Sequence, residues 1–169
     1  MYVISGCLLG QNCKYNGGNN RNEDVVKFCE KKKYITVCPE CAGNLPTPRP
    51  PAEKVGSRIL NEKGKDVTEA YVKGADISLK TCETLAQLQG ESIEGAILKA
   101  NSPSCGFGQI YDGTFSGTLT SGNGVFAGRL GQKGVEVINE KDTERMAQWL
   151  AEEKQIIRCN WLIYTRRKK

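Results

Sequence analysis

The chain contains no histidine. That absence removes the usual acid/base group of neutral pH and the commonest nitrogen ligand for metals. Proton transfer must fall to Glu, Asp, Lys, Tyr or Cys, and a transition metal would have to lean on thiolates. Long apolar runs are missing as well, so nothing in the sequence reads as a bilayer span. The opening stretch "MYVISGCLLG" lacks the basic segment that precedes a secretory apolar region, and the expected location is the cytoplasm. Aromatic residues are sparse at 7%, yet 38% hydrophobic and 25% charged residues are ordinary for a folded protein, and 169 residues suit one domain with a single sizeable core. The net charge of +5 comes largely from the closing "TRRKK". Basic residues at a chain end are a weak grip on a polymer even with Trp161 and Tyr164 interleaved, so no nucleic-acid partner is expected.

What the chain does have is cysteine, at positions 7, 13, 29, 38, 41, 82, 105 and 159. In a reducing compartment such a set favours metal binding or catalysis over a disulfide framework.

Patterning places these residues on elements. "YVISG" and "YITVCPE" are strand-like, and "NRNEDVVKFCEKKK" between them has Val25, Phe28 and Cys29 at helical spacing. Four prolines between Leu45 and Ala52 rule out regular structure there. From Asp66, a fair N-cap, Tyr71, Ala75, Leu79, Cys82 and Ala86 share a helix face that could bend near Gly74. "GAILKA" is a third strand and leads into a long Gly/Ser loop. "GVFAGRLGQKG" reads as a short helix and "VEVIN" as a fourth strand. "DTERMAQWLAEEK" reads as a last helix burying Met146, Trp149 and Leu150. The alternation predicts an α/β fold: a Rossmann-like parallel sheet of about four strands with helices on both faces, occupying residues 1–154, and an unassigned tail over 155–169.

Ligands of such sheets sit at the carboxyl ends of the strands. Cys7, Cys38 and Cys105 fall at or just past three strand ends, bracketed by Gly, Pro or Ser, unlike core-filling thiols. Thiolates without imidazole suit zinc or an iron-sulfur cluster, and three ligands leave a metal position open for chemistry where four close it. Cys13 or Cys41 could supply the fourth, which would make a structural or redox-sensing staple. Either could also carry a persulfide.

Glu40, beside Cys38, is the leading acid/base candidate, with Tyr111 and Asp112 behind it. Ser102 and Ser104 offer hydroxyls to orient a polar group. Arg49, between prolines, offers a fixed cation for an anionic substrate. Asp112 also sits in an ordinary Asp-Gly turn. Glycines 122, 124 and 128 fit no phosphate-binding fingerprint.

Four segments, "SGCLLGQNCKYNGG", "VCPECAGNLPTPRPPAE", "ILKANSPSCGFGQIYDGTFSG" and "GVFAGRL", together resemble the thiouracil desulfidase family from about Val3 to about Glu140. The resemblance implies a 4Fe-4S cluster held by Cys7, Cys38 and Cys105. It also implies a small thiolated pyrimidine as substrate, such as thiouracil or 4-thiouridine monophosphate, and a hydrolytic, non-redox loss of sulfur. Glu40 and Ser102 would be the acid/base and substrate-orienting groups, while the residue chemistry alone, not the resemblance, makes Arg49, Ser104 and Asp112 the expected substrate contacts. Cys41 stands where the family pattern has a small or aliphatic residue, and "KYNG" replaces the more usual "RYDG".

Overall fold

The computed structural model describes residues 1–152. Strand β1 (Tyr2–Ser5) is followed by a 3-10 turn (Gly6–Leu9), helix α1 (Glu23–Cys29), strand β2 (Tyr34–Val37) and a four-residue helix α2 (Pro39–Ala42). A hairpin of β3 (Ala52–Val55) and β4 (Arg58–Asn61) comes next, then the long helix α3 (Thr68–Leu88) and β5 (Gly95–Leu98). A second hairpin, β6 (Gln109–Tyr111) and β7 (Leu119–Ser121), precedes α4 (Val125–Gln132), β8 (Val137–Asn139) and a helix α5 over 143–152. The tail over 155–169 lies outside the described residues.

Four strands form one parallel sheet in the order β2-β1-β5-β8. Every residue of β1 and β5 is buried, as expected of central parallel strands covered on both faces. The period of two divides them cleanly. Val3, Val37, Ala96, Leu98 and Val137 pack with Ala75, Cys82 and Ala86 of α3 and with Phe126 and Leu130 of α4. Tyr2, Ile4, Ile97 and Ile138 face Val25 and Phe28 of α1 and Met146 and Trp149 of α5 on the other side. The Rossmann-like expectation therefore holds, with two helices on each face.

Capping explains two helix starts. Asn22 accepts from the amides of Asp24 and Val25 at 3.0 and 3.1 Å and opens α1. Asp66, expected to cap α3, sits one residue earlier than the N-cap, which is Val67; its carboxylate instead accepts from the Thr68 amide and hydroxyl at 2.9 and 2.6 Å.

The hairpins were not expected, and each forms its own two-stranded ribbon off the sheet. Helix α2 was not expected either. It starts with Pro39 at its first turn and lies tightly on α3, because Gly43 and Gly74 have no side chains. A Cβ on Gly74 would stand 1.9 Å from the Pro39 carbonyl oxygen, and one on Gly43 2.1 Å from that of Ala70.

Candidate active site

In the sheet, β1 runs to β2 on one side and has β5 on the other. The crevice beyond their carboxyl ends is the topological switch point where α/β sheets bind ligands. A cavity of about 390 Å³ opens there, within the roughly 300–1,000 Å³ of small-molecule sites. Cys7 reaches it from the 3-10 turn after β1, Cys38 from the N-cap of α2 directly after β2, and Cys105 from the loop after β5. The three strand-end thiols thus share one wall, and Cys13 joins them from the turn between β1 and α1.

The thiols are unequal. Hydrogen bonding from Cys13 brings the Cys38 thiol down to about 6 against the cost of burial, helped by the amide and thiol of Cys41. Cys7 is lowered too, by the Cys13 hydrogen bond first, with burial opposing and Asn20 and the charge of Lys99 assisting. Cys13, which serves both, is pushed far up by Cys38 and then Cys7. Burial pushes Cys105 up, with the Ser5 hydroxyl opposing and Glu40 adding to the rise. Cys41 is exposed and does not line the cavity; its sulfur lies 3.7 Å from the Thr47 hydroxyl.

Glu40 and Ser102 both line the cavity. The Ser102 hydroxyl donates to Glu40 Oε1 at 3.4 Å while accepting from the amides of Ser104 and Cys105, each at 3.1 Å. The hydroxyl of Tyr71, on α3, also bonds to Glu40, and burial followed by that carboxylate's charge holds the phenol well above its ordinary range.

Arg49 lines the cavity as well, but four hydrogen bonds and an ion pair hold its guanidinium in place. Nε and Nη2 reach Glu40 Oε2, each at 2.7 Å; Nη1 donates to the Pro46 carbonyl and the Thr47 hydroxyl at 3.1 and 3.0 Å; Nη2 also donates to the Cys13 carbonyl at 2.9 Å. Burial opposes its charge and the Glu40 carboxylate more than offsets this, so its pKa is raised. Arg49 is placed as a clamp joining α2, the Cys13 turn and the proline loop. An anionic substrate would meet a guanidinium already paired with Glu40.

Two expected substrate contacts lie elsewhere. Ser104 is wholly buried; its Oγ has no hydrogen-bond partner, and its carbonyl receives the Phe126 and Ala127 amides at the start of α4. A side chain following Pro103 in this turn is directed inward, away from the cavity that Ser102 and Cys105 face. Asp112 turns the β6–β7 hairpin, its carboxylate accepting from the Thr114 amide and hydroxyl at 2.9 and 2.6 Å; these bonds lower its pKa. The neighbouring Tyr111 lines the cavity instead.

Several lining residues were not foreseen. Lys99, in the last turn of chain after β5, is ion-paired with Glu140, whose other oxygen accepts the Ala100 amide at 2.7 Å. Asn20 bonds Cys7, and Glu53 stands on β3. "PPAE" gave no sign that its glutamate points inward, because the hairpin that turns it was not read.

The family model for 2-thiouracil desulfurase matches residues 2–142. The chain belongs to the 2-thiouracil desulfurase family. This desulfurase-family chain is 41% identical over 152 residues to the protein YbbK of Bacillus subtilis (strain 168), which is described only as uncharacterized; the match covers 84% of this chain and 97% of YbbK. Among solved structures it is similar to TudS, a [4Fe-4S]-dependent thiouracil desulfidase, with 38% identity and a TM-score of 0.78 over 89% of this chain and 97% of that one. Like the rest of its described residues, the family core has no helix long and apolar enough to cross a membrane.

Proposed function

We propose that the chain is a desulfidase that takes the sulfur from a thiolated pyrimidine, of the thiouracil or 4-thiouridine monophosphate kind, and returns the keto base and hydrosulfide. Water supplies the oxygen and both protons, so no electrons are exchanged. The observation that carries this reading is the gathering of Cys7, Cys38 and Cys105 on one wall of a cavity that also presents Glu40 and Ser102.

The donor set fits a 4Fe-4S cluster on those three cysteines. It is soft and free of imidazole, and two of the three thiols are already drawn toward the thiolate form. Among the described residues no three Cys, Asp or Glu side chains converge on a single metal ion as they stand; the ligands of a cubane sit on different irons and do not need to. Filling the site would release the Cys105 proton that burial holds in place. When bound, the cluster supplies a soft Lewis acid for a thiocarbonyl sulfur.

The remaining work falls to the chain. Glu40, oriented by Arg49 through Oε2, takes a proton from the attacking water through Oε1, the oxygen Arg49 leaves open. Ser102 fixes the loop that carries Cys105 through two amides and donates its own proton toward Glu40.

Anaerobic reconstitution followed by iron, sulfide and hydrosulfide-release assays on 2-thiouracil tests the reading. Cys105→Ala should lose both iron and turnover. Glu40→Gln should keep its iron and lose roughly 10²- to 10⁴-fold in kcat. Undiminished turnover in Glu40→Gln removes that residue from proton transfer. The position of Cys13 between Cys7 and Cys38 favours a second reading, a closed four-cysteine site without catalysis. Full iron content and activity in Cys13→Ser excludes it.

A further inference from the structure

Glu53 is buried, lines the same cavity and belongs to neither the thiol wall nor the Glu40 cluster. Strand β3 packs on β6, and one Glu53 oxygen, Oε2, accepts the amides of Gly113 and Phe115 at the β6–β7 turn, each at 3.0 Å. The other oxygen, Oε1, has no hydrogen-bond or ion-pair partner among the described residues, and it is not sealed from solvent. Nearby cations do not serve it. Arg49 is paired with Glu40, Lys99 with Glu140, and Lys14 lies over the Tyr15 ring with no ion pair to Glu53. A buried carboxylate on a cavity wall, with one oxygen committed to the scaffold and the other without a protein donor, is placed to take a donor from the ligand, since a poorly met charged acceptor is costly to bury.

We infer that Glu53 is a specificity residue: its free oxygen accepts an N–H of the pyrimidine ring and so selects a ring that still carries a protonated nitrogen, rejecting one whose nitrogens are capped. The inference rests on the desulfidase reading for the class of ligand. The carbonyl and thiocarbonyl edges of such a ring are acceptors and would be repelled by the same oxygen, so the contact also fixes which edge turns toward β3. Charge-assisted hydrogen bonds of this kind discriminate by about ten- to a hundredfold.

The test uses cluster-loaded protein under anaerobic conditions and two ligands without sulfur, uracil and 1,3-dimethyluracil, with affinity measured by calorimetry. Wild type should prefer uracil by about ten- to a hundredfold. In Glu53→Gln the carboxamide oxygen can still accept from Gly113 and Phe115, so iron content and unfolding temperature should hold. The group replacing Oε1 is then a donor, and the preference should shrink by about tenfold or more. Any penalty from methyl bulk is common to both proteins and cancels in the ratio of ratios. An unchanged preference in the variant overturns the inference, as does a wild type with no preference. Should Glu53→Gln not fold, Glu53→Ala takes its place in the same ratio of ratios: a shrunken preference supports the contact, and an unchanged one overturns it. Failure of the desulfidase reading shows separately, as a wild type that frees no hydrosulfide from 2-thiouracil.

Discussion

Replacing Arg49 with Met asks how far one side chain holds the site together. The substitution leaves the Glu40 carboxylate without its cation and strands the carbonyls of Cys13 and Pro46 and the Thr47 hydroxyl. The side chains of Arg49 and Glu40 are 5% and 15% exposed, so solvent screens the pair little and the cost belongs to the buried class, about 3–5 kcal/mol. Against a total stability of about 5–15 kcal/mol that is a large share. In urea unfolding of cluster-free protein, followed by far-ultraviolet circular dichroism, a slope of about 2 kcal/mol/M turns this into a midpoint drop of roughly 1.5–2.5 M. Glu40→Gln and the double variant complete a cycle whose coupling should reach about 1–3 kcal/mol, because the second change removes a partner already lost. A drop under about 0.5 kcal/mol in Arg49→Met, or a double variant that is simply additive, refutes the clamp.

Gly74→Ala should cost about 1–3 kcal/mol and lower iron retained after reconstitution, because its Cβ meets the Pro39 carbonyl oxygen at 1.9 Å and pushes α2, with Cys38 and Glu40, off α3; thermal unfolding and iron analysis check both. The two serines of "NSPSC" should behave oppositely. Ser104→Ala removes an unpartnered buried hydroxyl and should be neutral or stabilising, while Ser102→Ala leaves two amides without an acceptor and should cost about 1–3 kcal/mol, read by the same unfolding curves. In cluster-free protein, iodoacetamide with peptide mapping should find Cys38 the fastest thiol near pH 7, its rate falling as pH drops through about 6. Cys29 and Cys82, raised by burial to about 11 and about 12, should stay unlabelled. The sign for stability follows: the folded state binds the Cys38 proton less tightly than the unfolded chain, so the stabilisation is fully present above the ordinary thiol range and lost as pH falls through about 6.

The sheet was legible because its strands are uniformly apolar and its helices carry faces at steps of three and four. Cys7, Cys38 and Cys105 were legible because topology puts the end of a parallel strand near a ligand. The tie between Arg49 and Glu40 was not, since nine residues of sequence separation around prolines carry no periodic signal. Helix α2 was hidden for a similar reason: four residues are too few to show a helical repeat. The first hairpin did leave a trace in "KVGSRI", where Gly56 adopts φ 62° at a tight turn between two short runs. The second left less, because every residue of β7 is exposed and no alternation marks it. Ser104 and Asp112 are selected by residue type, which carries no direction: the fold buries the first and closes the second into its own turn.

The two ribbons hang from the sheet without sharing any of its rungs. A lineage of such proteins can therefore rewrite the lining that meets the guest molecule while the cysteine-bearing strand tips stay as they are. Divergence among relatives should gather in residues 52–61 and 109–121, and new substrates should be reached by exchanging those segments alone.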